Sequence, residues 1–203
     1  MDIGGIVLAG GKGERLSENK ELEIINRRTL IEQVISRVCL VDGVVSVMVV
    51  SDRNYPHIAH YPSLKMKRDI YPGKGPLGGV YTGLKESESF YNLVVACDMP
   101  FLNQELLEYL VKEAGTGYDL VVPRMGDLIE PLHAVYSKDC LHHIDNMLDE
   151  GDLSVRGLFA RVNVRYVEAE EIERFDPGYL SFFNVNTRAE LLKAREIEQG
   201  WVS

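Results

Sequence analysis

The segment spanning residues 4–20, GGIVLAGGKGERLSENK, places an apolar strand directly before a glycine-rich loop. Its run Ile6-Val7-Leu8 is typical of a strand buried within a parallel sheet. The run ends at AGGKG, residues 9–13, where three glycines let the backbone adopt positive φ and bring N–H groups close to a ligand. A strand that opens into such a loop favours an α/β fold with a polyanionic ligand, and a phosphate chain is the expected one.

Three cations follow closely, at Lys12, Arg15 and Lys20. Arginine can clamp phosphate oxygens through two donors and lysine acts as a point charge, so we predict that Arg15 and Lys20 bind phosphate. Lys12 is equally compatible with a solvated position, and a plain surface turn is the alternative for the whole loop. Two familiar motifs are excluded, because the dinucleotide fingerprint needs a glycine where Leu16 stands and the P-loop needs Gly-Lys-Ser/Thr at its end.

Short apolar strands alternate with amphipathic helices along the chain, and this pattern repeats four times. The alternation predicts a mostly parallel sheet with helices on both faces. The predicted strands cover residues 3–9, 44–50, 65–70, 92–96, 118–123, 131–136, 162–167 and 182–185. The predicted helices cover residues 29–40, 80–87, 104–113, 138–148, 155–160 and 188–197, with caps at Asn103, Ser137 and Thr187.

Polar candidates fall at the carboxyl ends of the predicted strands, where open α/β sheets bind ligands. Asp98 directly follows the fourth strand and precedes Met-Pro. Its carboxylate can bind Mg²⁺, which takes oxygen ligands and is often shared with substrate phosphates, whereas the plainer interpretation is a turn or helix cap. We therefore predict a magnesium site at Asp98, beside the first glycine loop.

Asp69 follows the third strand and lies just before a second glycine-rich loop, residues 72–79. Its carboxylate can accept hydrogen bonds from N1–H and the amino group of guanine, and backbone groups of residues 75–79, including Gly78, can contact the base. The alternative for Asp69 is a turn-capping side chain. The pattern thus predicts the base end of a nucleotide site.

Polar side chains also mark the last third of the chain. Asn184 and Asn186 are two residues apart, so they share one face of an extended segment and can read a polar ligand. His133 lies in a predicted strand with an unusual polar load, although a lone histidine there is more often a satisfied, partly buried side chain.

Size and composition predict one domain spanning residues 1–203. The net charge of −9 excludes a protein that coats nucleic acid by bulk electrostatics, yet it leaves room for a small anion at a local cationic loop. No apolar run reaches transmembrane length, so no membrane partner is expected, and the early strand predicts no signal peptide. Three dispersed cysteines without C-x-x-C spacing favour reduced thiols and a cytoplasmic location.

Taken together, these residues resemble the molybdenum cofactor guanylyltransferases. The first loop and the Cys-Asp-Met-Pro motif are shared with many sugar and cofactor nucleotidyltransferases, whereas the His-Ala-Val-Tyr and Asn-Val-Asn-Thr segments narrow the resemblance to this branch. The matching pieces run in family order over nearly the whole chain: LAGGK at 8–12 with Arg15 and Lys20, RD at 68–69, GPLGG at 75–79, CDMPFL at 97–102, EPLHAVY at 130–136 and FNVNT at 183–187.

The resemblance implies a Rossmann-like three-layer nucleotidyltransferase domain with a mostly parallel sheet. It implies Mg²⁺-dependent transfer of GMP from GTP to the terminal phosphate of molybdopterin carrying molybdenum, with release of pyrophosphate. The catalytic residues that it implies are Arg15, Lys20 and Asp98, with Asp98 also holding the metal. The pterin-side contacts that it implies are Asn184 and Asn186, and we predict His133 on the same side. The nucleotide contacts that it implies are Leu8, Ala9, Gly10, Lys20, Asp69 and Asp98, and we predict Gly11, Lys12 and Gly78 as further nucleotide contacts.

The chain departs from the family pattern at Leu16-Ser17, where Met-Gly is usual, at Asn19, where Asp is usual, and at RAEL, residues 188–191, where Pro-Glu-Asp-Leu is usual. Two alternatives stay open. One is a cytidylyltransferase for the same cofactor or a sugar-phosphate nucleotidyltransferase, and the other is a nucleotide-binding regulatory or adaptor protein without turnover. The resemblance also implies that the product is handed to molybdoenzyme apoproteins or their chaperones.

Overall fold

The computed structural model describes residues 1–10, 20–61 and 64–202. The strands in these ranges are β1 (Ile3–Leu8), β2 (Ile24–Ile25), β3 (Arg28–Thr29), β4 (Val44–Val50), β5 (Leu64–Lys67), β6 (Tyr91–Ala96), β7 (Leu120–Met125), β8 (Leu128–Ile129), β9 (His133–Ser137) and β10 (Val164–Glu168). The α-helices are α1 (Leu30–Val38), α2 (Gly75–Glu86), α3 (Gln104–Ala114), α4 (Cys140–Glu150), α5 (Ala169–Ile172) and α6 (Arg188–Val202). Short 3₁₀ helices cover Lys20–Leu22, Pro56–Ile58, Val155–Ala160 and Leu180–Phe182.

The central sheet has the strand order β10-β7-β9-β6-β1-β4-β5, and β8 pairs with β7. Strand β1 pairs in parallel with both β4 and β6, β4 with β5, and β10 with β7. Strand β9 is antiparallel to both of its neighbours, β6 and β7. The predicted mostly parallel α/β sheet is therefore confirmed.

Helices cover both faces of this sheet, which gives the expected helix–sheet–helix layers. On one face, Val34 of α1 and Leu110 of α3 are completely buried in one apolar cluster. On the other face, Val80 of α2 and Ile144 of α4 are completely buried in a second cluster. A smaller cluster joins α6 to the β2–β3 hairpin through Leu191 and other side chains. Burial of these faces is the main source of stability for such layers.

Helix α2 packs closely against β1 because it presents glycines to the sheet. A Cβ added at Gly79 would lie 3.3 Å from Leu8 Cδ2, and one added at Gly83 would lie 2.6 Å from Ile6 Cγ2. The two glycines are four residues apart, so they lie on the same face of the helix. Alanine at Gly83 would force the helix and strand apart.

Side-chain caps fix the starts of α1, α3 and α6, and the sequence predicts the caps of α3 and α6. Asn103 accepts a hydrogen bond from the Leu106 amide at 2.9 Å at the start of α3. Thr187 accepts one from the Glu190 amide at 3.2 Å at the start of α6. Thr29 and Glu32 form a reciprocal capping box at the start of α1.

Two predicted features are wrong. Ser137 does not cap a helix, because it is the last residue of β9 and lies opposite Tyr91 of β6. Residues 182–185 are not a strand, because the Asp176 carboxylate accepts hydrogen bonds from the amides of Leu180 and Ser181 at 3.0 and 2.7 Å. These two bonds wind the preceding backbone into the 3₁₀ helix Leu180–Phe182.

The second glycine-rich loop is shorter than predicted. Helix α2 begins at Gly75, so Gly78 and Gly79 are helical. Pro76 explains the early start, because its fixed φ suits the first turn of a helix. Gly73 and Gly75 adopt φ of +79° and +66°, which other residues rarely take. Among the described helices, none is long and apolar enough to cross a membrane.

Candidate active site

The parallel register brings the carboxyl ends of four strands level with one another. Leu8 of β1 pairs with Val50 of β4 and with Ala96 of β6. The ladder then continues past the strands, because the Ala9 amide donates to Val50 O at 2.9 Å and the Cys97 amide to Leu8 O at 3.1 Å. The residues after β1, β4, β5 and β6 therefore meet at one edge of the sheet.

A cavity of about 680 Å³ lies at this edge. Its lining includes residues at or just after the carboxyl ends of β1, β4, β5 and β6, and residues just before β9. The residues that line it are Leu8, Ala9, Gly10, Lys20, Val50, Ser51, Asp52, Arg53, Asp69, Gly73, Gly75, Pro76, Gly79, Ala96, Cys97, Asp98, Met99, Glu130, Leu132 and Asn184. Pockets of a few hundred to a thousand Å³ with a few convergent polar groups are typical small-molecule sites.

Lys20 and Asp98 form an ion pair at the wall of this cavity. Lys20 Nζ donates to Asp98 Oδ2 at 2.6 Å and to Asn186 Oδ1 at 2.6 Å. The side chains of Lys20 and Asp98 are only 14% and 12% exposed. Asp98 Oδ1 makes no hydrogen bond within the described part of the chain. One carboxylate oxygen is thus shared with Lys20 and the other is available to a ligand.

Asp98 is held in place by the residues that follow it and by a segment near the end of the chain. Met99 and Leu102, just after it, are anchored in the main core at 1% and 0% exposure. The carbonyl of Asp98 accepts a hydrogen bond from the Val185 amide at 2.9 Å. That bond brings the segment carrying Asn184 and Asn186 to the site, although the two are 86 residues or more from Asp98 in sequence.

Asp69 lies at the opposite end of the cavity, after β5. Its Oδ1 accepts hydrogen bonds from the Tyr71 amide at 3.0 Å and from the Thr82 hydroxyl at 2.8 Å. The Thr82 hydroxyl in turn accepts from the Ile70 amide at 2.9 Å. Among the described residues, Oδ2 of Asp69 has no partner. The side chain therefore caps a turn through one oxygen and leaves the other for a ligand.

A buried carboxylate that the sequence analysis missed anchors the Lys20 segment. Glu21 is 3% exposed, and its Oε1 accepts hydrogen bonds from Arg53 Nη1 at 2.9 Å and from the Tyr55 hydroxyl at 2.8 Å. Burial, with the neighbouring Glu21 carboxylate, raises the pKa of Tyr55, so this hydroxyl stays a donor. The contacts tie the 3₁₀ helix Lys20–Leu22 to the loop after β4 and hold Arg53 at the cavity wall. No motif in the sequence links Glu21 to Arg53.

Glu130 and Leu132, just before β9, also line the cavity and were missed as site residues. The Ala96 amide donates to Leu132 O at 3.0 Å, which places this segment beside the end of β6. Glu130 is half-buried, and burial is the main cause that raises the pKa of its carboxyl, with a further contribution from the charge of Asp98. The polar residues in and before this strand were a signal for a site, but the sequence points to His133 among them and not to Glu130.

His133 and Gly78 do not line the cavity. His133 is completely buried and packs against Phe182, with ring centroids 4.9 Å apart. Gly78 faces Tyr71, whose carbonyl oxygen would lie 2.9 Å from an added Cβ. Their assignment to pterin and nucleotide contacts stays a prediction. Gly11, Lys12 and Arg15 lie outside the described residues.

Comparisons with known proteins agree with this geometry. Residues 5–167 match the family described as a MobA-like NTP transferase domain. The molybdenum cofactor guanylyltransferase of Desulfosudis oleivorans is 31% identical, with 99% of this chain and 98% of the relative covered. The protein of the same name from Syntrophotalea carbinolica is 32% identical, with 94% and 89% covered. The crystal structure of molybdopterin-guanine dinucleotide biosynthesis protein A from Archaeoglobus fulgidus has a TM-score of 0.83 at 27% identity and covers 97% of this chain and 99% of that one.

Proposed function

The chain belongs to the molybdenum cofactor guanylyltransferases with a MobA-like NTP transferase domain, and on that basis we propose that it transfers GMP from GTP to the terminal phosphate of molybdopterin carrying molybdenum. Pyrophosphate is the second product. The observation that carries the proposal is the contact between Lys20 and Asp98 on the wall of a cavity that Gly10 also lines. A cation and a metal-binding acid beside a glycine backbone are what a nucleoside triphosphate needs.

The strand order gives the nucleotide a direction across the cavity. Along the sheet edge the cavity is lined in the order Asp69 after β5, Arg53 after β4, Gly10 after β1 and Asp98 after β6. We assign the base to the Asp69 end, where Oδ2 can accept from one N–H of guanine, and the phosphates to Gly10 and Lys20. Arg15 and Lys12 extend this set of phosphate contacts in the proposal.

The carboxylate of Asp98 offers the kind of oxygen ligand that Mg²⁺ prefers. Mg²⁺ commonly takes one or two carboxylates from a protein and completes its octahedron with substrate phosphates and water. Asp98 offers an oxygen that no described residue engages, at the wall where the phosphates are assigned. Among the residues that the structure describes, no group of three His, Cys, Asp or Glu converges on one point. When bound, the ion would neutralise charge on the α-phosphate and on the leaving pyrophosphate.

The reaction needs alignment more than proton transfer. An oxygen of the acceptor phosphate, already ionised at neutral pH, attacks the α-phosphorus, a new P–O bond forms and the α–β anhydride bond breaks. The electron pair of that bond leaves on pyrophosphate, so no general base is required. Lys20 and the backbone N–H of Gly10 offer positive charge to the phosphates, and Asn186 holds the Lys20 ammonium in place at 2.6 Å.

We further propose that the enzyme works in the cytoplasm and passes its product to molybdoenzyme apoproteins or their chaperones. Cys39, Cys97 and Cys140 are free thiols, which agrees with a reducing compartment. Asn184, at the cavity, and Asn186, beside Lys20, are assigned to the pterin side of the acceptor.

Steady-state assays with molybdopterin carrying molybdenum, Mg²⁺ and one of GTP, CTP or UTP test the proposal. We expect pyrophosphate release with GTP at a kcat/KM at least about tenfold above that with CTP, and a dinucleotide product of matching mass. Equal or better use of CTP would assign the cytidylyl alternative. Nucleotide binding without pyrophosphate release would identify a protein without turnover.

A further inference from the structure

The cavity extends one strand beyond the metal-binding acid. Strand β9 lies next to β6 on the side away from β1, and the segment before it carries Glu130 and Leu132 to the cavity wall. Because β9 runs antiparallel to β6, its start, not its end, lies at the carboxyl edge of the sheet. Glu130 therefore lies on the opposite side of Asp98 from Gly10 and Asp69.

The distances along the edge divide the cavity between two substrates. Neighbouring strands are about 4.8 Å apart, so β5 lies about 14 Å from β6 and about 19 Å from β9. A nucleotide with its base at Asp69 and its α-phosphate at Asp98 fills the first of these spans. The end at Glu130 is then left to the acceptor, an inference that rests on the proposed function.

The Glu130 carboxylate has few hydrogen-bond donors near it in the described part of the chain. Glu130 is half-buried and forms no ion pair among the described residues, and the nearby Leu132 amide only partly opposes the effect of burial, which raises the pKa of its carboxyl. Arg156, whose charge acts to lower the pKa of Glu130, donates a hydrogen bond to the Ile129 carbonyl at 3.2 Å. A ligand that covers this carboxylate removes its water, which is unfavourable unless the ligand itself supplies hydrogen-bond donors. Asn184 reaches the cavity from the segment that is tied to the Asp98 carbonyl.

The acceptor carries the donors that fit this acid. The edge of a 2-amino-4-oxopterin presents an amino group and N3–H side by side, which matches the two oxygens of a carboxylate. We propose that Glu130 determines specificity for the acceptor by accepting hydrogen bonds from this edge, with Asn184 beside it. Within the proposal, Asp69 selects the base and Glu130 selects the pterin, at opposite ends of one cavity.

Binding of two fluorescent probes tests the inference. The probes are 6-hydroxymethylpterin monophosphate and the lumazine analogue, in which a 2-oxo group replaces the 2-amino group. We expect the wild-type protein to bind the pterin at least about tenfold more tightly, because the lumazine lacks the paired donors. Glu130→Gln should reduce that preference below about threefold while the Kd for GTP with Mg²⁺ changes less than about twofold. Glu130→Asp, which retracts the charge by one methylene, should weaken pterin binding yet keep a preference.

Asp127→Asn is the matched control, since Asp127 is exposed in the same hairpin and does not line the cavity. An unchanged preference in Glu130→Gln, or no preference in the wild type, would overturn the inference. So would a rise in the Mg²⁺ requirement with the preference intact, because Glu130 would then serve the metal. If wild-type GMP transfer proceeds while the preference is absent, only this inference fails, whereas absent transfer defeats the proposed function itself.

Discussion

At the scale of single residues, Lys20 shares its ammonium between two oxygen acceptors on different segments. Asp98 and Asn186 both lie 2.6 Å from Nζ. Such charge-assisted bonds are short and directional. They fix the cation at the wall before any substrate contributes, and in the proposed mechanism this lowers the cost of aligning the phosphates.

Asp98→Asn should keep the fold and lose at least about 100-fold in kcat, because the amide keeps the shape but not the charge that holds a metal ion. Pyrophosphate release at saturating GTP and Mg²⁺ measures this, with circular dichroism to check the fold. Asp149→Asn, an exposed change on α4, is the control. Mg²⁺-dependent turnover close to that of the wild type in Asp98→Asn would contradict the assignment.

Because of His133, we expect the protein to lose stability in acid. Burial lowers the pKa of its imidazole to about 4, against which the charge of Asp176 acts weakly, and neither ring nitrogen has a partner among the described residues. The unfolded chain binds a proton near pH 6.5, whereas the folded chain resists it until about pH 4. Stability is therefore full above pH 6.5 and falls by about 3 kcal/mol as the pH drops to 4.

Replacing His133 with Leu, a side chain of similar volume, should remove this pH dependence. Urea unfolding of His133→Leu and wild type at pH 7 and pH 5 measures it. We expect the wild type to lose about 2 kcal/mol more than the variant between these two values. Equal losses in the two proteins would show that His133 does not carry the effect.

At the scale of elements, the short 3₁₀ helix Lys20–Leu22 depends on a neighbour for its position. Its Glu21 carboxylate binds Arg53 and Tyr55 from the loop after β4. A three-residue helix has little stability of its own, so these contacts decide where Lys20 lies. The Lys20–Leu22 segment and the loop after β4 therefore position each other at the cavity wall.

Glu21→Gln should raise the KM for GTP about three- to tenfold with a smaller change in kcat, because the neutral amide holds Arg53 less firmly. Glu23→Gln is the matched control on the same segment, since the Glu23 carboxylate lies 3.8 Å from Arg195 and away from the cavity lining. Steady-state kinetics on both variants measure the split. An unchanged KM in Glu21→Gln would show that the wall tolerates a looser Arg53.

The sequence predicts elements best where a local signal decides them. Asn103 and Thr187 cap helices as expected because their hydroxyl or amide oxygen acts on amides three residues away. Helix α2 begins earlier than the sequence predicts because Pro76 favours the first turn of a helix although glycines surround it. Residues 182–185 were misassigned because their conformation depends on the distant Asp98 and the preceding Asp176.

At the scale of the whole molecule, the position of β9 in the sheet could not be predicted. Gly126-Asp127 indicates a turn between two strands, but no local signal shows that the second strand lies between β7 and β6, so the sequence does not place Glu130 beside Asp98. Lys20, Asp69 and Asp98 were found because glycines and charges mark the carboxyl ends of parallel strands. Glu130 was missed because it reaches the same edge from an antiparallel start.

We propose that residues 1–203 form one cooperative domain, because the two large apolar clusters share one sheet and the third joins α6 to the hairpin beside it. Thermal unfolding should then show one transition with equal calorimetric and van't Hoff enthalpies. Two resolved transitions would contradict this, and limited proteolysis between them would locate the second unit.

The glycines of α2 place a constraint on evolution far from any substrate. The first turn of this helix supplies one side of the cavity, while Gly83, two turns further on, has an Ile6 methyl where a side chain would start. Any larger residue at Gly83 would tilt α2 and shift its first turn. A mutational scan scored on catalysis alone would therefore rank a position that never meets the nucleotide among those that do.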